Sequence, residues 1–489
     1  MKARSETIRS TYPALATDLY QLTMSYGYWK THSDAKEAVF NLFFRKNPFK
    51  GGFSIACGLT DAIGYLQSLE FSDDDLTYLA GLTGNDGKPL FEPAFIEHLR
   101  AFEFTCDVDA IPEGTVVFPH EPLLRVQGPI GECQLVETAL LNILNFQTLI
   151  ATKSARVCLA AQGESVLEFG LRRAQGADGA LTASRAAYIG GCDATSNVLA
   201  GKLFGIPVRG THAHSWVTSF DNELEAFEAY AEAMPNNCVF LVDTYNTIEG
   251  IRRAIETGHR LRKEHGQEML GVRLDSGDLA YLSIEARRML DEAGFQNAQI
   301  LATNDLDEHI IVSLKDQGAT ITTWGVGTKL VTAYDQPALG GVYKLTAVRY
   351  PGEPWSYKIK LSEQTAKISS PGIQQVRRFR DAGEFIGDMI YDIHQPVEHA
   401  IIDPLDLTRR KQFPSDAEHS DLLVPVFRGG KLVYDQPSIH EIRTHAQQQL
   451  AGFHSGIKRF LNPHTYPVGL APTLHELRTE LILAARGQH

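Results

Sequence analysis

Val208-Arg209-Gly210-Thr211-His212-Ala213-His214-Ser215-Trp216 is the stretch on which the reading of this chain turns. It follows Phe204-Gly205-Ile206-Pro207, a Gly/Pro break that closes an apparent helix. A short apolar segment then runs into two histidines. Histidine titrates near neutrality and serves as base, nucleophile or metal ligand. In extended backbone, side chains two residues apart share a face. Three readings follow: a His212–His214 metal pair, one histidine in covalent or acid–base work, or two ordinary polar loop residues.

Working outward, short apolar runs alternate with helical patterns. Val239-Phe240-Leu241-Val242 ends at Asp243, and Leu270-Gly271-Val272-Arg273-Leu274 ends at Asp275-Ser276-Gly277-Asp278. Gln299-Ile300-Leu301-Ala302 ends at Thr303-Asn304-Asp305, and residues 319–323 lead into Gly325-Val326-Gly327-Thr328. Upstream, Val166-Leu167-Glu168-Phe169-Gly170 reads as a strand followed by Arg172 and Arg173. Helical patterns cover roughly residues 135–161, 195–204, 223–233, 248–257, 279–293 and 309–315. Near-continuous apolar strands are those of a parallel sheet buried on both faces. Such sheets carry their sites at the C-terminal strand ends, where the polar residues of this chain collect. Their regular recurrence after successive strands favours a barrel-like closed sheet, with six or seven strands in place of eight.

The chain is thus expected to be α/β, with a barrel-like parallel β/α catalytic domain over 135–345. Residues 1–134 read as a mixed α+β portion. Residues 346–489 turn antiparallel and β-rich, with a hairpin around Gly429-Gly430, and pack back on the N-terminal portion as a second α+β domain. At 489 residues, two or three domains are the default.

Hydrophobic content of 43% and charged content of 21% are those of a globular protein. With 46 Lys+Arg against 59 Asp+Glu the formal charge is −13, which argues against a nucleic-acid partner. The six cysteines are widely spread with no two-residue spacing, as in a reducing cytoplasm. Lys2, Arg4 and Arg9 have no apolar run behind them, and the greasiest stretch, 138–151, is broken by Asn142, Asn145 and Gln147. Neither a signal peptide nor a membrane span is expected.

The strand-end residues can be asked what they would hold. Arg172, Arg173 and Arg273 are candidate anion anchors, because a guanidinium grips carboxylate or phosphate with two parallel hydrogen bonds. Gly325-Val326-Gly327-Thr328 can present converging backbone N–H groups, though without a third glycine or a Walker-type Lys-Ser/Thr sequel. Asp275, Asp278 and Asp305 suit ribose hydroxyls or hydrated Mg²⁺, with helix capping the competing role, above all for Asp278. Asp243 is placed to hold a histidine's second ring nitrogen. The set fits a phosphorylated sugar plus a small anion, with a histidine between them.

Taken together, Thr17-Asp18-Leu19-Tyr20-Gln21-Leu22-Thr23-Met24, Glu168-Phe169-Gly170-Leu171-Arg172-Arg173-Ala174-Gln175-Gly176, Gly210-Thr211-His212-Ala213-His214-Ser215, Arg273-Leu274-Asp275-Ser276-Gly277-Asp278-Leu279 and Gly325-Val326-Gly327-Thr328 resemble the nicotinate phosphoribosyltransferase family, in its order. The resemblance covers residues 17 to about 345 and is loose beyond. It implies a type II phosphoribosyltransferase-like fold. The implied reaction joins nicotinate to phosphoribosyl pyrophosphate, yielding nicotinate mononucleotide and pyrophosphate for NAD biosynthesis. ATP hydrolysis would be coupled to it, ligase-fashion, through a phosphohistidine.

By that resemblance His214 is the histidine phosphorylated from ATP, Asp243 orients it, and His212 falls at a variable position. Tyr20 would reach the nicotinate pocket of a partner subunit, so a homodimer is implied. Phe169 would stack on the pyridine, with Thr211, Arg273 and Arg172 around it. Asp275, Ser276, Gly277, Asn304, Gly325, Gly327 and Thr328 would face phosphoribosyl pyrophosphate, and Mg²⁺ would ride on the pyrophosphate with no dedicated protein metal site.

Three rival readings stand beside this one. A metal-dependent barrel hydrolase using His212 and His214 would need further histidines or a lysine at later strand ends, where Asp243, Asp275, Asn304 and glycines stand. A non-catalytic pyridine or nucleotide sensor would have no use for a His214–Asp243 pair. Nicotinamide or another pyridine as substrate differs only in one or two groups facing the ring.

Overall fold

The computed structural model describes residues 13–364 and 367–487. Lys2, Arg4 and Arg9, on which the reading of the amino terminus rests, lie outside them. The chain divides into two compact units, residues 1–149 with 338–489, and residues 150–337. The expected boundaries at 134/135 and 345/346 both fall inside the first unit. The long helix Glu137–Ala161 supplies residues to each unit, so its start is no domain border.

The second unit is built on six strands: β1 (Ser165–Glu168), β2 (Ala194–Thr195), β3 (Val239–Leu241), β4 (Gly271–Leu274), β5 (Gln299–Ala302) and β6 (Thr323–Val326). They pair in parallel in the order β2-β1-β6-β5-β4-β3. Parallel neighbours need crossovers, here made through α1 (Ala177–Ile189), α2 (Val198–Phe204), α3 (His214–Val217), α4 (Glu223–Ala233), α5 (Thr247–His265), α6 (Leu279–Glu292) and α7 (Glu308–Asp316), with α8 (Thr328–Val331) after the last strand. The strands are buried on both faces: Phe240, Val272, Ile300, Trp324 and Val326 are fully covered. Asn197, Asn222, Asn246, Asp278 and Asp307 cap α2, α4, α5, α6 and α7, each side chain accepting a first-turn N–H. Much of the polarity at the strand ends is therefore helix capping, Asp278 included.

Strands β2 and β3 are the two edges of this sheet. Among the described residues no strand pair joins them, so the sheet is not the closed one expected. Instead the 208–214 segment crosses from edge to edge. Val208 forms a parallel bridge with Thr195 of β2, and Arg209 N–H donates to the Thr195 carbonyl at 3.1 Å. At the other edge, the Nε2 of His212 accepts the Leu241 N–H of β3 at 3.3 Å.

Two further differences have physical causes. The strand expected over 319–323 lies later, at Thr323–Val326, with Gly325 in its interior. Helix α1 and strand β2 were not legible. The buried residues of α1 are Ala180, Ala183, Ser184, Arg185, Ala186, Ala187, Tyr188 and Ile189, a mostly small set interrupted by an arginine that gives no clear apolar period, and β2 is two residues long.

In the first unit both ends of the chain share a seven-stranded sheet. Glu37–Phe44 pairs antiparallel with Leu124–Pro129 on one side and Gly341–Arg349 on the other, and Val424–Arg428 pairs with Asp107–Ala110. A six-stranded sheet comes wholly from the C-terminal part, with Glu384–Asp392 between Gln374–Asp381 and Val468–Leu470. Gly429 and Gly430 both have positive φ at the tip of the expected hairpin. The six cysteines are free, and among the described residues no helix is long and apolar enough to cross a membrane.

Candidate active site

Strand β4 aims one charged side chain among the neighbouring strand ends. The Arg273 guanidinium donates from Nε to Thr303 Oγ1 at 3.0 Å, from Nη1 to Thr211 Oγ1 at 3.0 Å and from Nη2 to Asp275 Oδ1 at 2.8 Å. It thereby ties the end of β5 and the histidine segment to its own strand end. Burial opposes ionisation of Asp275. Hydrogen bonds from Thr303 and Arg273, helped by the charges of Arg273 and His214, outweigh it and hold the carboxyl below its usual range.

His214 opens α3 and is partly exposed. Its Nδ1 lies 3.1 Å from Thr244 Oγ1, and its Nε2 faces Asp275 Oδ2 at 3.7 Å and Asp243 Oδ1 at 3.9 Å. Asp243 was expected to hold the histidine's second nitrogen. In this geometry it is an electrostatic neighbour instead, because its Oδ2 is engaged by the Asp275 N–H at 2.9 Å and by Ser276 Oγ at 2.5 Å. Its Oδ1 accepts no hydrogen bond although the side chain is only 1% exposed. A buried carboxylate oxygen left open toward a histidine is expensive unless a proton, a cation or a ligand meets it.

His212 does something else. It is buried, with its ring edge-on to Tyr230 at a centroid distance of 4.8 Å. Burial pushes its pKa down to about 4 against the opposing Ala213 carbonyl, with the charges of Arg273 and His214 adding to the fall. The ring is neutral and structural. The two histidines do not share a face, because α3 begins at His214 and ends the extended alternation.

Strand β1 leads into a turn that carries a buried aromatic ring. Glu168, fully buried, accepts from Ser184 Oγ at 2.8 Å, from Thr195 Oγ1 at 2.6 Å and from the Gly170 N–H. These bonds fix the turn that carries Phe169, which is buried against β6. A Cβ at Gly325 would stand 2.5 Å from Thr303 Cγ2 and 2.9–3.0 Å from the Phe169 ring, so only glycine lets these three segments converge. Gly277 (φ 80°), Asn304 (φ 90°) and Asp305 (φ 46°) hold left-handed backbone at the ends of β4 and β5. Strain of this kind at consecutive non-glycine residues gathers at functional sites.

The structure therefore brings together His214, Asp243, Thr211, Arg273, Asp275 and Ser276, and separately Phe169 with Gly325 and Gly327. Thr328 opens α8 directly after the glycines, and Asn304 is exposed on its turn. Arg172 lies on an exposed 3-10 turn and, among the described residues, takes no part in the Arg273 cluster. Tyr20 belongs to the first unit, exposed on the helix Leu19–Lys30 beside exposed Leu19 and Met24. Thr244 and Thr303 act in the Arg273 and His214 cluster, and Glu168 braces the Phe169 turn, without having been singled out in the sequence. The signal was present: each stands at a strand end and adjoins a selected residue, Asp243, Asn304 and Phe169 respectively. Among the described residues no group of three or more His, Cys, Asp or Glu side chains could hold a metal ion.

A six-stranded parallel sheet with a histidine, a largely covered arginine and two carboxylates gathered at its strand ends defines an α/β class whose ligand sites lie at that edge of the sheet. Models of the nicotinate phosphoribosyltransferase N-terminal domain, family and C-terminal domain match residues 15–145, 165–360 and 373–478. The chain is 45% identical over 466 residues to the nicotinate phosphoribosyltransferase of Bacillus subtilis, covering 94% of this chain and 93% of that protein. It is 36% identical over 533 residues to that of Homo sapiens, covering 97% of each. The crystal structure of human nicotinic acid phosphoribosyltransferase superposes with a TM-score of 0.83 at 33% identity, covering 95% of this chain and 99% of that one. A Pyrococcus furiosus nicotinate-nucleotide pyrophosphorylase shares the fold, with a TM-score of 0.68 at 22% identity over 91% of this chain and 96% of that one. This chain belongs to the nicotinate phosphoribosyltransferase family.

Proposed function

We propose that this protein transfers the phosphoribosyl group of phosphoribosyl pyrophosphate to nicotinate, in NAD biosynthesis, with ATP hydrolysis coupled through phosphorylation of His214. The observation that carries the reading is the Arg273 cluster: one largely covered guanidinium joins the histidine segment to two strand ends beside two carboxylates. The barrel-like character expected of a type II phosphoribosyltransferase rests on the 208–214 segment spanning the sheet's two edges.

In the transfer, the bond from ribose C1 to the pyrophosphate oxygen breaks, its electron pair leaves with pyrophosphate, and the pyridine nitrogen bonds to C1. The protein's task is to hold the two reactants in line and to stabilise the charge that develops. Phe169 stacks on the pyridine, Thr211 and Arg273 face its carboxylate, and Arg172 is a further pocket residue. The turns bearing Ser276, Gly277, Asn304, Gly325, Gly327 and Thr328 hold the sugar phosphate and pyrophosphate.

Mg²⁺ fits this site on its donor chemistry, since Asp275 is held ionised and Asp243 Oδ1 is unengaged. Bound with pyrophosphate, it would neutralise leaving-group charge. For the ATP step, an imidazole nitrogen of His214 bonds to the γ-phosphorus as the bond to the ADP oxygen breaks. Thr244 and the facing carboxylates set the ring's orientation and tautomer. Hydrolysis of the phosphohistidine then shifts populations between conformers.

Tyr20 is read as reaching the nicotinate pocket of a second copy. The exposed stripe of Leu19, Tyr20 and Met24 supports a homodimer through this helix. The test is product formation. Purified protein with Mg²⁺-ATP and phosphoribosyl pyrophosphate should convert nicotinate, and not nicotinamide, to its mononucleotide by chromatography. Conversion of nicotinamide with equal kcat/KM would replace the substrate assignment.

A further inference from the structure

A cavity of about 810 Å³ lies wholly within the first unit, whereas the His214 cluster lies wholly within the second. Its rim carries the side chains of Arg45, Lys46, Lys50, Arg409, Arg410 and Lys411, six cations, against the single carboxylate of Asp403. That carboxylate is already engaged, accepting the Leu405 N–H at 2.8 Å. Such a concentration of positive charge is out of keeping with a chain of net charge −13. A concave basic surface over low-dielectric walls focuses its field on anions.

Among the described residues, Arg409 and Lys411 meet little opposing charge. Arg409 makes one loose ion pair with Asp406, at 3.4 Å between two exposed side chains. Lys411 is half-buried. Among the described residues its ammonium donates to the Ile386 carbonyl and sits 5.6 Å from the centre of the Phe413 ring, with no carboxylate beside it. Burial lowers its pKa, the mark of a cation lacking a counter-charge. Lys411 also borders an adjoining cavity of about 370 Å³, whose lining mixes Arg459 with Glu384.

The floor is different in kind. Ile390, Ile401, Phe118 and Tyr466 are buried there, with the last two rings stacked at 4.2 Å. Tyr466 is anchored by its hydroxyl to Asp388 at 2.9 Å. Gly52 allows the wall to form, since a Cβ there would run into the Ile457 carbonyl and Pro463. An apolar floor under a cationic rim suits a ligand with a flat apolar part and a polyphosphate tail, and the volume is that of a small-molecule site.

We propose that this cavity is a second binding site for a nucleotide-like polyphosphate, with its phosphates on Arg409, Arg410 and Lys411 and its ring over Ile390 and Ile401. The probe is 8-azido-ADP, photolysed on the full-length protein and mapped by peptide. Label is expected in residues 386–413 or 463–469, in addition to any label in residues 208–280 from the proposed ATP site. Arg410→Ser with Lys411→Met should remove the first label by about tenfold or more at fixed probe, leave the second, and leave kcat with saturating substrates unchanged. Lys50→Met, on an exposed side chain, gives the same direction should the double variant fail to fold.

Competition by pyrophosphate but not adenosine would assign the binding to the phosphates alone, and competition by ADP alone to the whole nucleotide; either supports the site. Label confined to residues 208–280, or label in 386–413 that survives both variants, overturns the proposal. So does loss of catalysis together with the label, which would make the cavity part of the transfer site. Absence of label in 208–280 alone bears on the ATP coupling and not on this cavity.

Discussion

Replacing Arg273 with lysine keeps the charge and destroys the fork. The guanidinium makes three bonds at 2.8–3.0 Å to Thr303, Thr211 and Asp275, which lie in different directions around its plane. An ammonium on a similar stem reaches one of them well, so two are lost. Hydrogen bonds to charged groups contribute about 1.5–3 kcal/mol each. Water replaces part of this at a side chain that is 12% exposed, leaving about 3 kcal/mol of organisation lost, or roughly 100-fold in kcat/KM. The assay is steady-state mononucleotide formation with nicotinate and phosphoribosyl pyrophosphate varied in turn, alongside thermal unfolding. Arg288→Lys is the control, since Arg288 pairs with Glu285 and Glu292 on an exposed face of α6. A fall of a few degrees in Tm together with the large kinetic loss is the expected result, with Arg288→Lys moving neither. Arg273→Lys within about threefold of wild type would refute the role assigned to the cluster.

Further consequences are equally specific. Gly325→Ala forces Thr303 or the Phe169 ring to move, because the new methyl would stand 2.5–3.0 Å from both; a loss of about 1–3 kcal/mol in stability and a raised KM for nicotinate are expected, measured by denaturation and kinetics. Thr244→Val removes the partner of His214 Nδ1 and should lower ATP-stimulated turnover about tenfold while the unstimulated rate holds, so equal loss in both rates would count against it. Glu223 is buried, and burial pushes its pKa up to about 7 against the pull of Arg253, with Asp243 adding to the rise. A carboxyl whose folded pKa exceeds its unfolded value stabilises below the unfolded pKa, and that contribution is lost as pH rises through about 7. Glu223→Gln should therefore gain roughly 2 kcal/mol over wild type between pH 5 and 8 in urea titrations. A pH-independent difference would show that Glu223 does not titrate in this range.

How far the sequence carried depended on how each feature is encoded. Strands β3, β4 and β5 are runs of large apolar residues, and the structure places them within a residue of where their pattern ends. The 223–233 helix is equally explicit. Strand β6 was misplaced because Gly325 and Gly327 read as a loop, while the fold needs a glycine inside the strand to admit Phe169 and Thr303. The histidine segment singled out in the sequence does lie at the strand ends, but its geometry was not legible. Whether His212 faces solvent or the Phe227–Tyr230–Phe240 cluster depends on α3 starting at His214 and on packing between distant residues. Arg273 was one of three equal candidates in the sequence. Its largely covered side chain and three converging partners separate it from Arg172, which is exposed. The basic cavity was invisible, since Lys50 and Arg410 lie far apart in the chain and the global charge has the opposite sign.

The coupling of the histidine to the transfer is the central claim, and phosphorylation tests it most directly. Wild-type protein and His214→Ala would be incubated with γ-labelled ATP and Mg²⁺, then chased with nicotinate and phosphoribosyl pyrophosphate. The account predicts acid-labile, base-stable label on the wild type alone, discharged as mononucleotide forms. Label of equal amount on His214→Ala, or mononucleotide formed with ATP-dependent stimulation intact in that variant, would contradict it.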